Sequence, residues 1–128
     1  MFWTVCKLHG KCYKLIIDSA STDNLVVTKM VGKLGLKKLK HPTPYTVSWL
    51  HKGHQLLVDE QCEVVFHIGE YKGKVTCDIM PVDVCHMLLG TPWQYDRKVI
   101  HDGATNCYKL VKDGINHTLV PMKEEEDP

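Results

Sequence analysis

The stretch Tyr13–Val26, YKLIIDSASTDNLV, decides how this chain is read. Three apolar residues, Leu15, Ile16 and Ile17, run into a carboxylate at Asp18, and three small residues, Ser19, Ala20 and Ser21, follow it. The apolar run bounded by small and polar residues predicts a buried strand. The Asp18 carboxylate then emerges at the edge of a core. A lone buried charge is costly unless it reaches solvent or is held by backbone N–H groups and a partner. Taken alone, the stretch favours an Asx turn, a position that both Asp and Ser suit. The other reading makes Asp18 half of a catalytic pair. Two carboxylates that share one proton can hydrolyse a peptide without a metal or a nucleophilic side chain, one as base on a water and the other polarising the carbonyl. Small neighbours suit that chemistry, because amides can approach the carboxylates and leave room for water.

The pair needs a second acid. Asp102, in HDGAT, also precedes small residues, but Gly103 lacks the hydroxyl that Ser19 offers and His101 breaks the apolar approach. Asp102 therefore reads as a turn. A second copy of the chain is the better source, since two-fold symmetry would set Asp18 opposite Asp18.

Outward from this stretch the signals are mainly β. FWTVCKL (2–8) and KCYKLIID (11–18) form two strands joined at His9-Gly10. Beyond the small residues, Leu25, Val26, Met30, Val31 and Leu34 fall at helical spacing, with Thr22 or Asp23 as cap and Gly35 as terminator. KKLKHPTP reads as a loop, because Pro42 and Pro44 break both kinds of ladder. YTVSWL (45–50) and QLLVDEQCEVVFHIG (55–69) are strands flanking HKGH, a turn with Gly53 near its tip. KGKVTCDIMPV follows, with Val75, Cys77 and Ile79 on one face, Pro81 at the strand end, and Asp78 and Asp83 as surface turn residues. HMLLGTPWQYD predicts a short helix or tight loop, with Trp93 and Tyr95 anchoring it to the core. Asp113-Gly114 supplies a type I′ turn to a closing hairpin, and the acidic tail 123–128 is expected to be solvated. Many short strands, one or two helices and no βαβ rhythm predict a small closed β-barrel or sandwich in one domain, residues 1–122.

Composition narrows the function. Sixteen basic residues against fifteen acidic ones give a formal charge of +1, so no global field for nucleic acid or membrane follows. The basic run KLGLKKLK, including Lys37 to Lys40, lacks interleaved aromatics and reads as a solvated helix end, so nucleic acid is not an expected partner. No apolar run approaches the roughly 20 residues that span a bilayer. The N-terminus lacks a signal-peptide pattern, so the six cysteines are expected to be reduced and the chain intracellular. His9 lies between Cys6 and Cys12, but four-ligand spacing is absent and no metal or other cofactor is expected.

LIIDSAS (15–21) resembles the apolar-Asp-Ser/Thr-Gly signature of retropepsin-type aspartic proteases, and HMLLGTPW resembles their second signature. The run from DEQCEVVFHIG to NCYKLVKDG is similar to the protease region of plant gypsy-type LTR-retrotransposon polyproteins. The resemblance implies a mainly β, barrel-like fold with a flap hairpin. It also implies a homodimer with its site at the interface and an extended peptide or polyprotein as substrate. It maps Asp18 onto the catalytic aspartate and Ser19 onto the hydroxyl that ties two active-site loops together. Lys52, Gly53 and His54 match the flap tip, with Trp49 beside it, and Leu88, Leu89 and Gly90 match the second signature. One position departs: the family has Gly where this chain has Ala20. If φ there is positive, the methyl is strained by about 1 kcal/mol; if not, it only adds bulk near the water. The alternative implied is a weakened or inactive protease-like module that dimerises or binds peptides.

Overall fold

A computed structural model of the chain describes residues 2–48, 55–81 and 85–122. Two strands open it, β1 (Phe2–Leu8) and β2 (Lys11–Ile17), paired antiparallel. His9 and Gly10 turn the chain with φ of 49° and 79°, the left-handed pair that a type I′ hairpin requires. Alternation along both strands sends Phe2, Cys6, Leu8, Tyr13, Leu15 and Ile17 into the core.

The chain continues through β3 (Leu25–Val27), α1 (Thr28–Leu34), β4 (Leu39–Ser48), β5 (Gln55–Ile68) and β6 (Tyr71–Met80). It then forms β7 (Met87–Leu89), α2 (Thr91–Asp96), β8 (Ile100–Asp102), β9 (Cys107–Lys112) and β10 (Ile115–Leu119). Seven strands make one sheet in the order β1-β2-β7-β3-β6-β5-β4, and a further pairing of β1 with β5 at Lys7 and His67 bends it into a ring. A three-stranded sheet, β10-β9-β8, completes the fold. Its closing hairpin turns at Asp113 and Gly114, φ 52° and 77°, as the sequence predicts. The fold is mainly β with two short helices.

Four local expectations are corrected. Leu25 and Val26 are strand rather than helix, because β3 finds ladders on both sides: parallel with β6 and antiparallel with β7. The helix starts only at Thr28, after Val27, and neither Thr22 nor Asp23 caps it; it ends at Gly35 in the left-handed conformation. Pro42 and Pro44 lie inside β4 rather than in a loop. This strand is the edge of its sheet, where a missing N–H costs least, and its register with β5 shifts between Lys40 and Tyr45. Met87–Leu89 is a strand, and the helix after it is anchored by Trp93 alone: Trp93 is buried and donates from Nε1 to the Tyr71 hydroxyl at 3.2 Å, whereas Tyr95 is 84% exposed.

The remaining correction concerns Asp78, which is a buried hub rather than a surface turn residue. Its carboxylate accepts from the Tyr45 hydroxyl at 2.5 Å and from Gln61 Nε2 at 3.0 Å, and lies 3.1 Å from His41 Nε2. Its backbone N–H donates to the Asn24 carbonyl at 2.8 Å. The cluster ties the proline-interrupted part of β4 to β5 and β6 through side chains where the backbone ladder slips. Burial and then the Asp78 hydrogen bond push the Tyr45 phenol above its ordinary range. Asp83 lies outside the described residues. All six cysteines are free, and burial raises the Cys6 thiol to about 12 and the Cys62 thiol to about 11. No group of metal-ligating side chains occurs among the described residues. Among them, too, no helix is long and apolar enough to cross a membrane.

Replacing Asp78 strands three part-buried polar partners, Tyr45, Gln61 and His41, at once. Asp78→Ala is expected to lose about 3 kcal/mol of stability by urea denaturation, while Thr76→Ala, on the exposed side of the same strand, shifts the midpoint little.

Candidate active site

Asp18 follows directly on β2, and what holds it there is β7. The two strands run parallel, with Ile17 paired to Leu89, and the ladder continues one step as the Asp18 N–H donates to the Leu89 carbonyl at 3.0 Å. Leu89 is fully buried and Leu88 partly so. The carboxylate is therefore carried on the last rung of a buried ladder, itself half-exposed.

The residues after it form a tight turn. The Ala20 N–H donates to Asp18 Oδ1 at 2.9 Å, and the Ser21 N–H donates to the Asp18 carbonyl at 3.1 Å. The Asx turn is thus present, and it does not compete with the catalytic reading: an amide donating to the carboxylate is what an exposed, oriented acid needs. Ser19 and Ala20 are exposed. Ala20 is not among the residues of positive φ, so the alanine departure carries no left-handed strain and keeps the amide donor.

A second loop locks into the first. The Thr91 N–H donates to the Ser21 carbonyl at 2.9 Å, and the Gly90 N–H donates to the buried Asn24 Oδ1 at 3.0 Å. The Ser21 hydroxyl donates to the Asp23 carbonyl at 2.8 Å. Gly90 is required for closeness: a Cβ there would stand 2.4 Å from the Asp23 carbonyl oxygen and 2.7 Å from that of Ser21, both backbone atoms. Asp18, Ser19, Ala20, Ser21, Leu88, Leu89 and Gly90 are therefore brought together at the joined ends of β2 and β7. Trp49, Lys52, Gly53 and His54 lie outside the described residues; β4 and β5 are paired up to Ser48 and Gln55 on either side of them.

Two residues were not foreseen. Asn24 bridges the two loops with its side chain and reaches Asp78 with its carbonyl; an Asn directly before an apolar strand is the only local cue. Tyr108, on β9, stands close enough to Asp18 that the two groups interact. Burial raises its phenol, the Asp18 charge raises it further, and the Ser19 hydroxyl lowers it. Tyr108 also packs edge-on to Phe2 at 4.9 Å and stacks on His101 at 4.5 Å. Nothing local marks it, because β9 is some ninety residues away in sequence. Asp102, expected to be a turn residue, is the last residue of β8, paired with Cys107 just before the turn; the Ala104 N–H donates to its Oδ1 at 3.0 Å and holds its carboxyl below the usual range.

No family model matches the sequence, and no curated protein is similar to it at a significant level. Among solved structures, the chain is similar to the crystal structure of the retroviral protease-like domain of Ddi1 from Leishmania major. The TM-score is 0.67 and the identity 11%, over 100% of this chain and 98% of that one. The chain has a retroviral-protease-like fold.

The interlock makes opposite demands at its two small residues. Gly90→Ala is expected to cost more than about 2 kcal/mol in chemical denaturation, because backbone must move. Ala20→Gly is expected to change stability by less than about 1 kcal/mol.

Proposed function

We propose that this protein is an aspartic endopeptidase that acts as a homodimer, with the Asp18 carboxylates of two copies as the catalytic pair. The observation that carries the reading is the held, half-exposed Asp18 on a retroviral-protease-like fold. Asp18 is held by the Ala20 amide and interacts with the Tyr108 phenol, and the second acid is proposed to come from another copy of the chain. In the pair, one carboxylate takes a proton from water as the water oxygen bonds to the scissile carbonyl carbon. The other gives its proton to the carbonyl oxygen. The tetrahedral diol then collapses, the C–N bond breaks and the amine leaves with a proton. Like charges at close range keep one proton on the pair through the acidic range, so activity peaks there and falls as the pair loses or gains a proton.

The substrate class that fits is an extended peptide laid strand-like across the site, its alternate side chains in pockets. The segment 49–54 is proposed as the flap that closes over it. By resemblance, the natural substrate is a retroelement polyprotein, and the work is done inside cells. The alternative is a protease-like dimerisation or peptide-binding module without turnover, silenced by Ala20. The negative φ and exposed methyl of Ala20 favour the active reading over this one.

The test offers a peptide library to the purified protein at mildly acidic pH. Wild type is expected to cleave and Asp18→Asn to lose at least about a thousandfold of that rate, the scale of removing an essential acid–base group. Equal cleavage by both ends the proposal. Cleavage gained only in Ala20→Gly establishes the silenced module instead.

A further inference from the structure

One peptide unit, Leu89–Gly90, is held from both sides. Its carbonyl accepts the Asp18 N–H at 3.0 Å, and its N–H donates to Asn24 Oδ1 at 3.0 Å. The two groups lie in one plane and point in opposite directions, so whatever fixes one fixes the other. The plane adjoins a glycine, which has the widest range of φ, so nothing in the local chain stops it from turning. A turned plane would present its N–H to the Asp18 N–H, donor against donor, and the last rung between β2 and β7 would be lost. The acceptor that opposes this is delivered from a fixed point. Asn24 is 8% exposed, its carbonyl accepts the Asp78 N–H at 2.8 Å, and β3 begins at the next residue.

We infer that Asn24 is a positioning residue for Asp18: it holds the Leu89–Gly90 plane in the one orientation that offers its carbonyl to the Asp18 amide. The role needs an acceptor with reach and without charge. A carboxylate would reach equally far, but it would be ionised in a buried place, next to Asp23 in sequence and bonded through its backbone to Asp78. An amide supplies the same oxygen neutral. Asn24 acts on the acid through a second peptide unit, so its loss moves the carboxylate without removing any reacting group. Small misplacements of a reacting group cost rate steeply, and the cost falls on turnover. That kinetic consequence rests on the proteolytic reading; the hold on the peptide plane does not.

The experiment measures amide hydrogen exchange by ¹⁵N NMR and steady-state cleavage of one peptide, both on the full chain. It compares wild type with Asn24→Leu, similar in size but without an acceptor, and with Asn24→Asp, which keeps one. Asn24→Leu is expected to speed exchange of the Asp18 amide about tenfold or more while the amides of β5 and β6 keep their protection. It is also expected to lower kcat about tenfold or more with KM within about threefold of wild type. Asn24→Asp is expected to restore both at mildly acidic pH, where a protonated carboxyl is an uncharged acceptor. The rescue is lost as pH rises and the buried carboxyl ionises. Unchanged Asp18 exchange in Asn24→Leu overturns the inference. So does exchange accelerated equally throughout the chain, or a fall in kcat that Asn24→Asp does not reverse at acidic pH. A wild type that cleaves nothing defeats the proteolytic reading instead, and the exchange comparison then decides the role of Asn24 by the same criterion.

Discussion

The hydrogen bond from the Asp18 amide to the Leu89 carbonyl is the constraint on which this end of the molecule depends. It extends a parallel ladder between β2 and β7 by one rung past the last strand residue and so fixes where the carboxylate stands. Parallel neighbours are distant in sequence by necessity, and here the second strand is only three residues long. Three rungs alone hold a strand poorly. The β7 segment is held because β3 pairs on its other side and because Gly90 lets the following turn press against the carbonyls of Ser21 and Asp23. The two loops thus fasten each other, and the acid is presented by a rigid scaffold rather than by a free turn.

The same logic recurs one layer out. Asn24 ends the Asp18 loop, bonds to Gly90 with its side chain and to Asp78 with its carbonyl. Asp78 in turn gathers Tyr45, Gln61 and His41 from the two strands that lead to and from residues 49–54. A chain of hydrogen bonds therefore runs from the loop carrying the acid to the base of the hairpin that, on the proposed function, closes over substrate. Burying a carboxylate for this is costly alone and tolerable only because every partner is a donor.

Features decided by neighbours in sequence were legible. His9-Gly10 and Asp113-Gly114 specify their turns by the conformations those residues tolerate, and Gly35 ends its helix for the same reason. The Asp18 loop and Gly90 were legible as motifs, by resemblance rather than by periodicity. What the sequence hid was set by partners far along the chain. Leu25 and Val26 fit a helical period but took strand form because β6 and β7 offered backbone groups to pair with. Met87–Leu89 carries no β-branched residue and is a strand only because it lies between two others. Asp78, a charged residue shortly before Pro81, looks exposed, and its burial follows from side chains contributed by β4 and β5. Tyr108 comes near Asp18 only because the C-terminal sheet folds back beside β1.

The account's central claim is that one chain holds half a site and presents it rigidly to a second copy. Sedimentation velocity across the micromolar range measures this most directly, with and without a peptide substrate. The account predicts a concentration-dependent monomer–dimer equilibrium shifted toward dimer by peptide. A single species with the mass of one chain at every concentration, in a preparation that nonetheless cleaves peptide, would contradict it.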